Sequence, residues 1–321
     1  MLAYLTWILL RKSAPHRAKR AVILVLASIF IYVGAIWGQL ETLVSASLLL
    51  TTMRITRGSN SQAGFLAGVA IALKQYALLP AIGLGLVSWR SSHNLRELIK
   101  HVSGLLGVPI IVTVGTVFLY HWDPRTIYFF GVTTSATIAA GPTLGIWMYG
   151  GLSPWSLLHL VGIDVRDFPV FRYIWLPAEL TVFAYALTRL RNIAKDTICA
   201  VTASISALLA SWPWASEQMF SSVVPFAILQ GMTGKRRLIW LIIVSQILVI
   251  LFDTFDDGLL MFSPGLKLVL PRTTEAIQLF YSSSFAWVLW LRGMFAFGVW
   301  ICALIILRES VTSMNTAAND R

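Results

Sequence analysis

Cysteine and charge are what this chain has least of. Its 321 residues include only two cysteines, Cys199 and Cys302, both in apolar runs and without paired spacing. That pattern indicates neither a disulfide framework nor a cysteine zinc site. Charged residues make up 12% of the chain, and only 14 of them are acidic. A soluble domain averages about 25% charged residues. There is no Walker loop and no dinucleotide glycine fingerprint, which argues against nucleotide-driven chemistry. No inverted internal repeat of the kind many transporters carry stands out.

What fills the space is apolar. Hydrophobic residues reach 57%, tryptophan occurs 13 times, and mean hydropathy is +0.75. One soluble core of this length does not hide that much apolar surface. Disorder is excluded for the same reason, and a lipid bilayer is the fitting solvent. The length has room for about ten helical spans of roughly 20 residues.

The apolar runs cover 2–10, 21–38, 40–53, 63–74, 76–89, 103–120, 172–188, 197–212, 217–231, 237–252 and 284–307. Lipid cannot satisfy open backbone groups, and the alternation of a barrel is missing, so the runs predict helices. The expected fold class is all-α: a polytopic transmembrane helical bundle of about 11 hydrophobic segments in a single integral membrane domain, 1–321. Several runs are shorter than a full span and imply helices broken at a site.

Net charge is +11. The basic residues cluster between apolar runs, a pattern of membrane topology that gives no reason to expect a nucleic-acid partner. The clusters are Arg11/Lys12/Arg17/Lys19/Arg20, Arg54/Arg57, Arg90/Arg96/Lys100, Arg189/Arg191/Lys195 and Lys235/Arg236/Arg237, then Arg308. Each follows an odd number of runs, so all fall on one side, the cytoplasmic side by the positive-inside rule. Most acids fall on the other side or in the membrane. The expectation is a multi-pass protein of the cell membrane, or of the endoplasmic reticulum in a eukaryote. Segments 121–171 and 253–283 are then extracytoplasmic loops, and 309–321 is a cytoplasmic tail. The N-terminus falls outside with almost no tail before the first run, a start expected of a chain whose upstream spans are absent or separately encoded.

Against this background the polar residues in apolar runs are candidates. Lys74 has about ten apolar residues on either side, and a lysine at a span centre costs about 2.5–3.5 kcal/mol. It reads either as a turn lysine snorkelling to headgroups or as a cation aimed at a lipid phosphate. Gln39 and Glu41 sit at the outer end of the second run, where Gly38 offers a helix break. Glu217 and Gln218 lie in the tight outer turn between two runs, and capping alone also explains an acid there. Arg292, about eight residues into the last run, needs a partner or a water-filled cavity; Glu179 and Asp253 are acids within the same topological half. Asp123, in His121-Trp122-Asp123-Pro124-Arg125, reads as part of a capped helix start or as a base. Asp253, Asp256 and Asp257 suggest a chelating cluster but lack the ligand spacing of a calcium loop.

Three segments carry a family resemblance. Gly38, Gln39 and Glu41 match a G-Q-x-D-like motif, with glutamate in place of aspartate. Ala63, Gly64, Gly68, Lys74 and Pro80 match an A-G-x-x-x-G segment leading through a lysine to a proline-containing helix. Ser216, Glu217, Gln218 and Pro225 match an S-[EP]-Q-Y-hydrophobic-P motif, with Met219-Phe220 at its aromatic position. In this order, over most of residues 21–231, the set resembles the GT-C superfamily of integral membrane glycosyltransferases. Within it, the set is similar to the mannosyltransferases that add the first mannose in GPI-anchor synthesis and their archaeal and bacterial relatives.

The resemblance implies a polyprenyl-phosphate-linked sugar donor, a lipid or glycan acceptor, membrane lipids as surroundings and an active face outside. It also implies inversion at the sugar carbon. Such a reaction needs a base for the acceptor hydroxyl and positive charge for the departing phosphate. Lys74 and Arg292 are the phosphate candidates, and Gly38, Gln39, Gln75 and Gln218 are expected to line the site. Glu41, Asp123 and Glu217 all remain open as the base. No cofactor is indicated by the residues, though a divalent metal is compatible with the chemistry. Family members carry a first span and an acidic loop before the G-Q motif. This chain reaches Gly38 after about one and a half helices, so that loop is expected to be missing, or supplied by a separate N-terminal partner subunit. The rival readings are a non-catalytic lipid-phosphate-binding subunit and a transporter or flippase.

Overall fold

The computed structural model describes residues 1–11, 15–28, 40–92, 94–121, 174–189, 193–212, 217–254 and 285–316, with 152–154, 157–158, 161, 163 and 215. Among the described residues the chain is all-α, with no strand. The helices are α1 (Leu2–Arg11), α2 (Pro15–Leu26), α3 (Glu41–Thr56), α4 (Asn60–Leu73), α5 (Leu78–Ser92), α6 (Leu95–Tyr120), α7 (Trp175–Arg189), α8 (Ile193–Ser211), α9 (Glu217–Met232), α10 (Arg236–Thr254) and α11 (Phe285–Thr316). Each apolar run of the sequence overlaps one of them.

The boundaries move where charges join helices. α2 begins at Pro15, so Arg17, Lys19 and Arg20 are helical instead of lying in a loop. Proline suits a first helical turn because its missing N–H has no partner there anyway. Arg17 Nη1 donates to the Met232 carbonyl at 2.7 Å, satisfying a carbonyl left open at the end of α9. α11 likewise continues to Thr316, through the first part of the expected tail. Glu309 accepts from Arg237 at 3.0 Å, and Ser310, Ser313 and Met314 are buried.

Among the described residues, two helices are long and apolar enough to cross a membrane: Leu95–Tyr120, and Trp290–Met314 within α11. A buried core helix of a soluble protein passes the same test, but α6 is different. Only 11% of its apolar stretch is buried, and Ile111, Phe118 and Leu119 are more than two-thirds exposed. So much bare hydrocarbon indicates association with a membrane. Trp240 and Ile247 of α10 and Met294 of α11 are similarly bare.

The core lies around α3, α8 and α9, where Leu48, Leu49, Ile205, Leu208, Phe220 and Phe226 are fully buried. α6 is held to α4 by missing side chains. A Cβ on Gly64 would stand 2.1 Å from the His101 carbonyl oxygen, one on Gly68 2.6 Å from that of Gly104, and one on Gly104 2.5 Å from the Phe65 nitrogen. Small residues four apart let helix backbones approach closely, and the attraction is then van der Waals contact. Packing therefore accounts physically for Gly64 and Gly68, which the family resemblance had also picked out. Tight turns order the rest. Gly58, at φ 72°, lets its N–H reach Ile55 O at 3.0 Å while the Ser59 N–H reaches Arg54 O at 2.9 Å. These bonds close α3 and reverse the chain into α4.

Candidate functional site

α4 and α5 are separated by a break. Lys74 is extended, at φ −152° and ψ 126°, and Gln75–Ala77 form a single 3-10 turn. Proline at position 80 fits the first turn of α5, where its missing N–H costs nothing. The break delivers Lys74 to the first turn of α3: Lys74 Nζ stands 3.2 Å from Glu41 Oε1. Glu41 also lies at the positive end of the α3 dipole, which favours its charge. The carboxylate is buried and the lysine is about one-third exposed, with relative side-chain accessibilities of 3% and 34%. Glu41 Oε2 is buried and has no hydrogen-bond partner among the described residues.

A hydroxyl cluster extends the pair. Tyr76, in the 3-10 turn, shares a 2.6 Å hydrogen bond with Ser222 of α9. Ser45, one turn along α3 from Glu41, donates to the Ser222 carbonyl at 3.1 Å. Glu41, Lys74 and Ser222 thus bring together segments of the three motifs. Tyr76, Ser45 and Ser222 were not singled out in the sequence. Hydroxyls within apolar runs were the available signal, but Thr51, Thr52 and Ser211 give the same signal and donate to carbonyls four residues back in their own helices.

The remaining candidates are placed as follows. Gln75 adjoins Lys74 in the 3-10 turn and is partly exposed. Glu217 and Gln218 form the first turn of α9; their side chains, like Gly38, Gln39 and Asp123, lie outside the described residues. Arg292 is buried, with its guanidinium 4.9 Å from the centre of the Phe252 ring. This cation–π contact places it on the seam between α10 and α11, a seam that includes neither α3 nor α4. Glu179, offered as its partner, instead accepts from Ser204 at 2.7 Å; the Asp253 side chain lies outside the described residues, as do Asp256 and Asp257. Among the described residues, no three His, Cys, Asp or Glu side chains are grouped as a metal site. Cys199 and Cys302 are free thiols and buried.

The same end of the bundle gathers other segments. The Leu152 N–H, from the long 121–171 segment, donates to Ala215 O at 2.7 Å. Trp175 and Trp212, at the adjoining ends of α7 and α8, pack with ring centres 5.4 Å apart. No family model, curated protein or solved structure matches this chain.

Proposed function

We propose that this chain is a multi-pass membrane protein of the GT-C glycosyltransferase type, specifically a mannosyltransferase. In this reading it accepts a polyprenyl-phosphate-linked sugar at its extracytoplasmic face and passes the sugar to a lipid or glycan acceptor. The observation that carries the reading is the Glu41–Lys74 pair, set where α4 breaks and joined through the hydroxyl cluster to the third motif-bearing segment. A buried carboxylate beside an ammonium that is about one-third exposed fits the two demands of the reaction. Lys74 draws in the donor phosphate and holds it as the sugar–phosphate bond breaks. Glu41, released from Lys74 by that phosphate, accepts the proton of the acceptor hydroxyl as its oxygen bonds the sugar carbon. Polyprenyl phosphate leaves.

The bare apolar faces of α6, α10 and α11 support embedding in lipid. Orientation is supported by the opposite end of the bundle, where Arg11, Arg57, Lys195 and Lys235 come together from four separate inter-run segments. Such a collection of cations belongs on the cytoplasmic side. The test is sugar transfer in membranes expressing the chain, supplied with radiolabelled polyprenyl-phosphate mannose and a lipid or glycan acceptor. Transfer that Lys74→Ala abolishes is the expected result; undiminished transfer by that variant refutes the lysine's role.

One observation favours a second reading, a lipid-phosphate-binding subunit without catalysis of its own. Glu41 and Lys74 already neutralise each other, as a structural pair does. Retention of labelled donor without transfer selects this reading.

A further inference from the structure

A cavity of about 620 Å³ opens at the other end of the bundle, among α1, α3, α8, α9 and the turn that follows α9. Its α3 wall includes Met53, twelve residues beyond Glu41 and therefore about 18 Å along the helix at 1.5 Å per residue. It is a different site from the Glu41–Lys74 pair and does not depend on the transferase reading.

Its composition is one-sided. Arg11, Arg57, Lys195 and Lys235 all line it, and among the described residues no Asp or Glu does. Lys235 is partly balanced from outside the wall by Glu309, 3.8 Å away, and Arg11 leans on the Trp7 ring at 5.0 Å. Arg57 is exposed at the end of α3. Buried Asp196 adjoins Lys195 in the first turn of α8, so with Glu309 the neighbourhood holds two acids against four cations, and the surplus of positive charge favours an entering anion. The deeper wall is apolar, with Leu9, Met53, Ile198 and Leu229, so the cavity offers both a charged mouth and a hydrocarbon lining. A second observation points to a ligand. Gln230 lines the cavity and is only 4% exposed. Its amide nitrogen donates to Thr202 Oγ1, while its Oε1 has no hydrogen-bond partner among the described residues. A buried acceptor without a donor is costly, and a ligand hydroxyl would satisfy it.

We propose that this cavity binds the phosphate of an anionic phospholipid headgroup that also carries a hydroxyl, with the lipid's first methylenes against the apolar wall. Guanidinium and ammonium groups suit phosphate oxygens, and Gln230 Oε1 accepts from the headgroup hydroxyl. The position, among helix ends rich in Lys and Arg, is where anionic lipids of the cytoplasmic leaflet meet a membrane protein.

The test uses the full chain purified in a nonionic detergent. Binding of a fluorescent short-chain phosphatidylglycerol is followed by anisotropy, with phosphatidylcholine and inorganic phosphate as competitors. Each basic side chain near an anionic lipid contributes roughly fivefold to binding, so Arg57→Gln with Lys195→Gln should weaken it by at least about tenfold. Arg90→Gln with Arg96→Gln removes the same charge from the same end but outside the cavity, and should have little effect. Arg57→Lys with Lys195→Arg keeps the charge and should retain binding, which separates lost charge from lost folding. Gln230→Leu should narrow the preference for phosphatidylglycerol over phosphatidic acid, which lacks the headgroup hydroxyl. Displacement by inorganic phosphate at concentrations comparable to the lipid supports a phosphate site and assigns it to a soluble ligand. Equal loss in the two glutamine doubles, or no preference for phosphatidylglycerol over phosphatidylcholine, overturns the proposal.

Discussion

Lys74 reaches Glu41 across the α3–α4 pair because the chain between Leu73 and Leu78 is not α-helical, and the resulting contact is 3.2 Å long. The break therefore turns a costly charge in an apolar run into half of an ion pair. A pair with one buried and one partly exposed partner lies between two regimes. Exposed pairs are worth about 0–1 kcal/mol, whereas removing one partner of a buried pair costs about 3–5 kcal/mol. The Glu41→Gln, Lys74→Met double-mutant cycle should return a coupling of about 1–3 kcal/mol. Thermal unfolding of the purified protein in detergent measures it, and strictly additive effects would mean the two groups do not meet.

The Tyr76–Ser222 bond makes a different demand. Tyr76→Phe removes one hydroxyl and leaves the Ser222 hydroxyl able to turn elsewhere, so a loss of about 1 kcal/mol is expected. Ser222→Ala leaves the Tyr76 hydroxyl in place without its partner, and the cost should be larger. In the transferase reading both variants loosen α9 from the broken segment and lower transfer without abolishing it. Stability curves with transfer assays on the same preparations decide the point; a Ser222→Ala variant as stable as wild type would remove the bond from the account.

Much of the helical layout was legible because long apolar runs without strand alternation leave few alternatives to helix: each apolar run overlaps a helix. Helix ends were less legible. Hydropathy stops at the first charge, but α2, α6 and α11 continue through Arg17, Glu97 and Glu309, whose side chains find partners at helix ends or across turns. The candidate site was half legible. Lys74 and Glu41 were conspicuous because charge in an apolar run is expensive, yet nothing in their spacing showed that they pair. Ser45 and Ser222 were indistinguishable from hydroxyls that bond their own helix. The basic cavity was invisible for a related reason: its four cations come from segments far apart in sequence, each an unremarkable flanking charge by itself.

Glycine at α4–α6 is a packing requirement, and the prediction contrasts glycines at the contact with glycines of α6 away from it. A methyl group at Gly64 or Gly104 meets backbone atoms at 2.1 and 2.5 Å, and backbone cannot rotate away. Gly64→Ala or Gly104→Ala should force α6 outward and cost about 1–3 kcal/mol, the usual range for overpacking. Gly107 and Gly115, in α6 like Gly104, have nothing within 4 Å of an added Cβ. Alanine there should be neutral, or stabilising by up to about 1 kcal/mol through helix propensity. Melting temperatures of the four variants suffice, and a uniform response would show that propensity rather than close approach governs these glycines.

Whether α6 crosses the bilayer is decided by its two ends. Its 26 residues extend about 39 Å at 1.5 Å per residue, more than the roughly 30 Å of a hydrocarbon core. Arg96 near its start is exposed, and Tyr120 at its end is 66% exposed, so each can be replaced by a reporter without disturbing a core. Both native cysteines are buried and give little background to a thiol reagent. In intact cells or sealed vesicles of known orientation, a membrane-impermeant maleimide should label Tyr120→Cys from the extracytoplasmic side. It should label Arg96→Cys only after the membrane is opened. The orientation follows from the cations: Arg96 belongs to the basic end that carries Arg11, Arg57, Lys195 and Lys235, and Tyr120 to the end that carries the Glu41–Lys74 pair. Reversed labelling would put that pair in the cytoplasm and remove the support for an extracytoplasmic sugar donor. Labelling of both positions from one side would mean that α6 lies along the membrane instead of through it.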